Sequence, residues 1–253
     1  MLWYKAWLET RWRFVCALVL SAGLCAVVVF TQPLIEELRI EAPGFGGRLD
    51  EMVREAMALV GTYPGYVWSQ WFGKNLLNVW TFFAVFLGAG GVVAEQARGS
   101  ALWTLSLPVS RRRLLGVRAA VGALELLALA VVPSLLVPVL SPLIGESYPL
   151  GAALSHALIL YGGGLVIYAF TLLLSNLFGD QLKPIIIGLA VVFALGLVSL
   201  FSKDLSDYSV YTLMSGQKLY FEGTPPWAGL AASLAAAAAL YFLALRTLER
   251  RDF

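Results

Sequence analysis

Long apolar runs that recur along the chain constrain its fold more than any other feature. Six runs approach or exceed the roughly 20 residues that an α-helix needs to cross a bilayer. They cover residues 14–31, 75–94, 110–140, 151–174, 184–202 and 227–245. Only 13% of the 253 residues are charged, whereas a soluble domain carries about a quarter. The sequence therefore predicts an all-α integral membrane protein with six transmembrane helices.

We expect the chain to form a single domain that covers residues 1–253. The segments between the spans predict three further helices, two of them before the second span and the third within residues 95–109. Residues 1–13 mix tryptophan with lysine and arginine, which predicts an N-terminal interfacial helix. The long outer loop, residues 32–74, has apolar residues at helical spacing and predicts an outer amphipathic helix. Five aromatic residues close that loop: Tyr63, Tyr66, Trp68, Trp71 and Phe72. Such rings favour the headgroup level, so we expect an anchoring belt, with a direct role in gating as the alternative.

Basic residues are distributed unevenly between the connections. With both termini on one side of the membrane, twelve of the 18 lysines and arginines lie on that side and six on the other. Cytoplasmic connections carry the excess of basic residues. We therefore expect both termini to be cytoplasmic, in agreement with an even number of spans.

Residues 95–109 form a polar and basic interval between two apolar runs. Apolar side chains lie on one side of a short predicted helix that follows Glu95 and Arg98. Pro108 ends this helix, and Ser110 can cap the next one. Three arginines follow at the inner headgroups, where anionic lipid favours cations: Arg111, Arg112 and Arg113. An orientation signal explains the arginines but leaves an amphipathic helix between two spans unexplained.

The sequence predicts no catalytic residue and no metal site. It contains no H-E-x-x-H, G-x-S-x-G or G-x-x-x-x-G-K-S/T motif, so a zincin site, a nucleophile elbow and a P-loop are not supported. Cys16 and Cys25 both lie in the first apolar run and predict neither a disulfide framework nor a zinc site. We interpret the lone histidine, His156, as a packed residue. An intramembrane enzyme that uses Glu125, His156 or Asp180 is an alternative.

Glu125 lies about 15 residues into the third predicted span, which is roughly 22 Å from its inner start. A charge at the bilayer centre costs about 2.5–3.5 kcal/mol on insertion scales. Such a side chain faces the bundle interior, is paired or is protonated. Two interpretations stay open: a structural hydrogen bond between helices, and a polar group that lines a substrate path.

The interval around Glu95 resembles a motif of the permeases of type-two ATP-binding-cassette (ABC) exporters. In that family, one motif joins the second and third of six spans. Its elements in chain order are Glu, then Arg-Gly-Ser/Thr, then Leu, then Pro-Val/Ile-Ser/Thr-Arg. Here the motif consists of Glu95, Arg98, Gly99, Ser100, Leu105, Pro108, Val109, Ser110 and Arg111. The tail from Arg250 to Phe253 also resembles the common ending of the family, so the resemblance covers essentially the whole chain. Ser100 stands where threonine is more common, which is a mild departure.

The resemblance implies a transmembrane permease subunit that forms half of the translocation pathway of an ATP-driven exporter. Residues 95–109 would then be a cytoplasmic coupling helix, seated in a groove of a separate ATPase subunit. The implied coupling residues are Glu95, Arg98, Gly99, Ser100, Leu102, Trp103 and Leu105.

The resemblance also implies the partners and the location. Two ATPase subunits would bind ATP and Mg²⁺, and a second permease copy, identical or a paralogue, would complete the pathway. The chain itself would hold no cofactor, act on no nucleic acid and sit among lipids of a prokaryotic cytoplasmic (inner) membrane. A membrane scaffold or channel without an ATPase partner is the alternative.

Overall fold

The computed structural model describes residues 2–39, 59–90, 109–178, 180–201 and 209–250, and every regular element among them is helical. In chain order these are α1 (Leu2–Arg39), α2 (Tyr63–Val67), a π-helix (Trp68–Asn75), α3 (Leu76–Gly88), α4 (Arg111–Leu140), a 3-10 helix (Ser141–Ile144), α5 (Leu150–Leu177), α6 (Leu182–Phe201), α7 (Val210–Met214), α8 (Gln217–Glu222) and α9 (Trp227–Glu249). The all-α class expected from the sequence is confirmed for this part of the chain.

Four of these helices are long and apolar enough to cross a membrane. They are α1 as far as Ile35, α4 together with the 3-10 helix, α5 and α9. The apolar part of α6 is shorter and covers Leu182–Leu197. These helices fit a membrane-embedded protein, which is the class that the low share of charged residues predicts.

The first helix differs from the sequence prediction. It runs without interruption from Leu2 to Arg39, so one helix replaces the predicted pair of an interfacial helix over residues 1–13 and a span over residues 14–31. No glycine or proline lies between Leu2 and Arg13, so the sequence offers no break there. Thr10 and Arg13 therefore stand on the same helix as the apolar turns that follow them.

The second predicted span begins earlier in the structure than in the sequence prediction. The helices α2, π and α3 follow one another directly, so the chain is helical from Tyr63 to Gly88 rather than from residue 75. This helical stretch ends because Ala89 is extended and Gly90 has a φ of +116°, a conformation that favours glycine. The predicted residues 91–94 lie outside the described residues.

The central helix of the described bundle is α5, which packs against α3, α4 and α9. Three consecutive glycines, Gly162, Gly163 and Gly164, lie on α5. At Gly164 a Cβ atom would lie 2.1 Å from the Trp80 ring of α3, so only glycine fits there. The Gly163 carbonyl accepts a hydrogen bond from Ser233 of α9 at 2.7 Å. The helices therefore approach each other closely at both positions.

The predicted anchoring belt is wrong for four of its five rings, because they are buried in the protein core: Tyr63, Tyr66, Trp71 and Phe72. The Tyr66 hydroxyl donates to the Val28 carbonyl of α1 at 2.8 Å. The Tyr63 hydroxyl lies 2.5 Å from Ser141 Oγ, after α4. Since these hydroxyl groups bond to protein partners, their rings pack between helices instead of facing headgroups.

Candidate functional site

The residues that the resemblance implies for coupling lie outside the described residues: Glu95, Arg98, Gly99, Ser100, Leu102, Trp103 and Leu105. The structure does describe the chain on both sides of this stretch, up to Gly90 and again from Val109. We call Ala89 and Gly90, with the side chains that bind them, the α3-end cluster.

Two arginines bind the carbonyl groups at the end of α3. Arg13 of α1 donates from Nη1 to the Phe86 carbonyl at 2.8 Å and to the Ala89 carbonyl at 3.0 Å. Arg118 of α4 donates from Nη2 to the same Ala89 carbonyl at 3.1 Å. The last carbonyls of a helix lack intrahelical partners and carry partial negative charge, so cations are favoured there.

Gly90 attaches the end of α3 to the central helix. Its N–H donates to Ser175 Oγ of α5 at 2.9 Å, and the Ser175 hydroxyl donates back to the Gly90 carbonyl. A Cβ atom on Gly90 would lie 2.7 Å from Arg118 Nη2. The positive φ and the adjacent guanidinium therefore both require glycine at this position.

An ion pair joins two of the helices in this cluster. Arg118 Nη1 of α4 lies 2.9 Å from Glu9 Oε2 of α1, and Lys5 Nζ lies 3.6 Å from the other oxygen of Glu9. The Arg118 side chain is mostly buried, and that of Glu9 is about one third exposed. The α3-end cluster thus connects α1, α3, α4 and α5 through polar contacts.

The far side of the 91–108 stretch is attached to a fifth helix. Ser110 caps α4 as predicted, because its Oγ accepts a hydrogen bond from the Arg113 N–H at 3.3 Å. Arg111 donates to the last carbonyls of α9, Leu248 and Glu249, at 3.1 and 3.2 Å. Arg112 forms an ion pair with the Glu249 carboxylate.

Glu125 is buried on α4. Its Oε1 accepts a hydrogen bond from Thr10 Oγ1 of α1 at 2.5 Å, while its Oε2 has no hydrogen-bond partner among the described residues. The structure therefore contains the interhelical hydrogen bond that one of the two sequence interpretations expects. Arg118, two turns earlier, pairs with Glu9 instead.

His156 and Asp180 have local partners. His156 is buried on α5, with Nδ1 2.8 Å from the Ala152 carbonyl and its ring 4.7 Å from that of Phe72. Asp180 accepts a hydrogen bond from the Lys183 N–H at 2.8 Å, and this bond lowers the pKa of the exposed carboxyl group. Among the described residues, no group of three or more His, Cys, Asp or Glu could hold a metal ion.

A lateral cleft of about 890 Å³ opens between α3 and α6, next to Tyr211 and Thr212 of α7. Its α3 wall carries Asn78 and Thr81 among apolar side chains, with Lys74 at one end. Phe193 of α6 and other apolar residues form the opposite wall. Thr212, Ser215 and Gln217 add polar groups on the side of α7 and α8. A lining that combines apolar side chains with several polar groups suits an amphiphile.

Sequence reasoning missed the α3-end cluster. Arg13 and Arg118 count as orientation signals in the sequence, and Ser175 carries no signal in an apolar run. The Gly-Ala-Gly-Gly run at residues 88–91 marks a helix end but does not indicate which side chains bind it. Comparison of the chain with protein-family models, curated proteins and solved structures returned no match.

Proposed function

We propose that this chain is the transmembrane permease subunit of an ATP-driven ABC exporter and forms half of its translocation pathway. The observation that carries the proposal is the attachment of both sides of the 91–108 stretch to the helical bundle. On one side Arg13, Arg118 and Ser175 bind Ala89 and Gly90. On the other side Arg111 binds the end of α9.

This arrangement suits the transmission of force. A coupling helix that is pushed by an ATPase subunit moves the membrane helices only if its two ends are firmly joined to them. Hydrogen bonds to charged donors each contribute about 1.5–3 kcal/mol, more than bonds between neutral groups. A displacement of residues 95–109 would therefore reach α1, α4 and α5 at one end and α9 at the other.

The proposal includes six spans with both termini cytoplasmic. In addition to the four long apolar helices, the stretch from Tyr63 to Gly88 and α6 would cross the membrane. Two ATPase subunits would bind ATP and Mg²⁺, and a second permease copy would complete the pathway. The lateral cleft between α3 and α6 is our candidate for the part of the path that this chain supplies.

The experiment asks whether an adjacent reading frame encodes a soluble P-loop ATPase, and reconstitutes the chain with that product. The two products should co-purify from membranes. Glu95→Ala, Arg98→Ala and Gly99→Leu should insert normally, because none of these residues lies within an apolar run. Each variant should bind the ATPase more weakly than the wild type does, or should transport less substrate for each ATP that the ATPase hydrolyses.

The matched control is Lys218→Ala on α8, which removes a charge far along the chain from the coupling segment. It should leave ATPase binding, ATP hydrolysis and transport unchanged. Wild-type values of all three quantities in the Glu95, Arg98 and Gly99 variants would refute the coupling role. Purification of the chain without any ATPase, with substrate flux that does not need ATP, would favour a channel instead.

A further inference from the structure

A second site lies between α1 and α4, on the outside of the bundle. It is a groove of about 430 Å³, within the range of small-ligand sites, roughly 300–1,000 Å³. Its α1 wall consists of four aromatic rings: Trp3, Tyr4, Trp7 and Phe14. Its α4 wall is apolar except for Glu125. We call it the Glu125 groove.

The aromatic wall is accessible from outside the protein. Trp3 is 53% exposed and Tyr4 is 67% exposed, so a ligand reaches these rings without any helix moving apart. The rings of Trp7 and Phe14 lie 5.6 Å apart in an edge-to-face arrangement, which fixes their orientation. Since α1 and α4 are both long enough to span a membrane, a ligand would approach this wall from the bilayer.

The carboxyl group of Glu125 adds a charge preference to this wall. One of its oxygens accepts the Thr10 hydrogen bond, and the other has no hydrogen-bond partner among the described residues. The charged groups that face it are Arg13 of α1 and Arg118 of α4. The hydrogen bonds shown above direct both guanidinium groups to the end of α3, and Arg118 also to Glu9.

We propose that the Glu125 groove binds the ammonium headgroup of an amphiphile that enters from the bilayer. Aromatic faces attract a cation through their quadrupoles, by about 0.5–2 kcal/mol for each well-placed ring. A carboxylate at the base of the wall adds Coulomb attraction in a medium of low dielectric constant. A neutral ligand would gain neither term. This inference does not depend on the proposed transport function.

The test uses the full-length chain in maltoside micelles, which contain no ammonium groups. Equilibrium dialysis with radiolabelled dodecyltrimethylammonium measures binding after subtraction of protein-free micelles. The comparison ligand has the same chain and an uncharged tert-butyl headgroup. We expect the ammonium ligand to bind about tenfold more tightly than this neutral isostere, as one or two ring contacts predict.

Two variants address the groove directly. Glu125→Gln keeps the shape and the Thr10 contact but removes the charge, and Trp7→Leu removes a ring. Each should weaken binding of the ammonium ligand about fivefold to tenfold and leave binding of the neutral isostere unchanged. Trp7→Phe should restore most of the affinity. Trp12→Leu is the matched control, because Trp12 lies on the same helix, is well exposed and does not line the groove.

Equal binding of the two ligands would overturn the proposal and leave the groove as a plain apolar surface. Wild-type affinity of Trp7→Leu for the ammonium ligand would also overturn it. Thermal unfolding of each variant shows which of them are folded. If Glu125→Gln does not fold, the affinities of Trp7→Leu and Trp7→Phe for the ammonium ligand test the proposal by themselves.

Discussion

Arg118 of α4 and Arg13 of α1 donate hydrogen bonds to the same carbonyl oxygen, that of Ala89, at 3.1 and 3.0 Å. Two cations from different helices thus meet at the end of α3. They share an acceptor that carries partial negative charge from the helix dipole, which offsets their mutual repulsion. We therefore expect the contributions of the two arginines to stability to be coupled rather than independent.

Arg118→Gln removes the bond to Ala89 and the ion pair with Glu9. We expect the free energy of unfolding to fall by about 1.5–3 kcal/mol, the range for hydrogen bonds to a charged group. Scanning fluorimetry of the purified protein measures this as a lower Tm. Arg118→Lys keeps the charge but not the planar guanidinium group, so its Tm should lie between those of the wild type and Arg118→Gln.

A double-mutant cycle tests whether the two arginines act together. The double variant Arg13→Gln/Arg118→Gln should lose an unfolding free energy that differs from the sum of the two single losses by at least about 0.5 kcal/mol, because the residues share an acceptor. Arg112→Gln is the control, since this exposed arginine pairs with Glu249 at the other end of the stretch. It should show no measurable change, and strict additivity of the arginine pair would contradict a shared connection.

The sequence predicts the existence of the long helices well because their apolar runs are decisive. It fails at Tyr63, Tyr66, Trp71 and Phe72, where ring chemistry suits both a headgroup belt and a protein core. Only tertiary packing distinguishes the two environments, for example the hydrogen bond from the Tyr66 hydroxyl to its partner Val28. Those partners lie far away in the chain, so local pattern carries no information about them.

The candidate site shows the same limit. Ser110 is predictable as a cap because its partner, Arg113, is three residues away. The binding of Ala89 by Arg13 and Arg118 depends on how three helices assemble, which periodicity does not encode. Glu125 is conspicuous in the sequence because a carboxyl group is costly in an apolar run. Nothing in the sequence identifies Thr10 as its partner.

Packing at the centre of the bundle gives a further prediction. Gly164→Ala places a Cβ atom 2.1 Å from the Trp80 ring, whose N–H donates to the Leu126 carbonyl at 2.9 Å. Relief of this overlap requires movement of the indole, so we expect a loss of about 1–3 kcal/mol in stability. Gly151→Ala on the same helix meets no atom within 4 Å and serves as the control. Equal Tm values for the two variants would contradict this packing.

The orientation of the chain is open to direct labelling. Replacement of Cys16 and Cys25 gives a background for single cysteines at Ser100, in the proposed coupling segment, and at Gln217, in α8. An excess of basic residues on the side of Ser100 predicts that the two labels react from opposite sides of the membrane. A membrane-impermeant maleimide applied to intact cells and to inverted vesicles measures this. Labelling of both positions from one side would refute the six-span arrangement.

Gly90 offers the sharpest test of the α3-end cluster. Gly90→Ala should be destabilising for two reasons: its φ of +116° disfavours a side chain, and its Cβ atom would lie 2.7 Å from Arg118 Nη2. Backbone strain of this kind costs about 1–3 kcal/mol. Gly145→Ala isolates the strain, because Gly145 also has a positive φ, +80°, but a Cβ atom added there would meet no atom within 4 Å.

The difference between these two variants reports the contact with Arg118. We expect Gly90→Ala to lower the Tm more than Gly145→Ala does. In an Arg118→Ala background the methyl group finds space, so the added cost of Gly90→Ala should shrink towards that of Gly145→Ala. If the cost is the same in both backgrounds, the Arg118 guanidinium does not limit the space beside Gly90, and the close contact of these two residues is wrong.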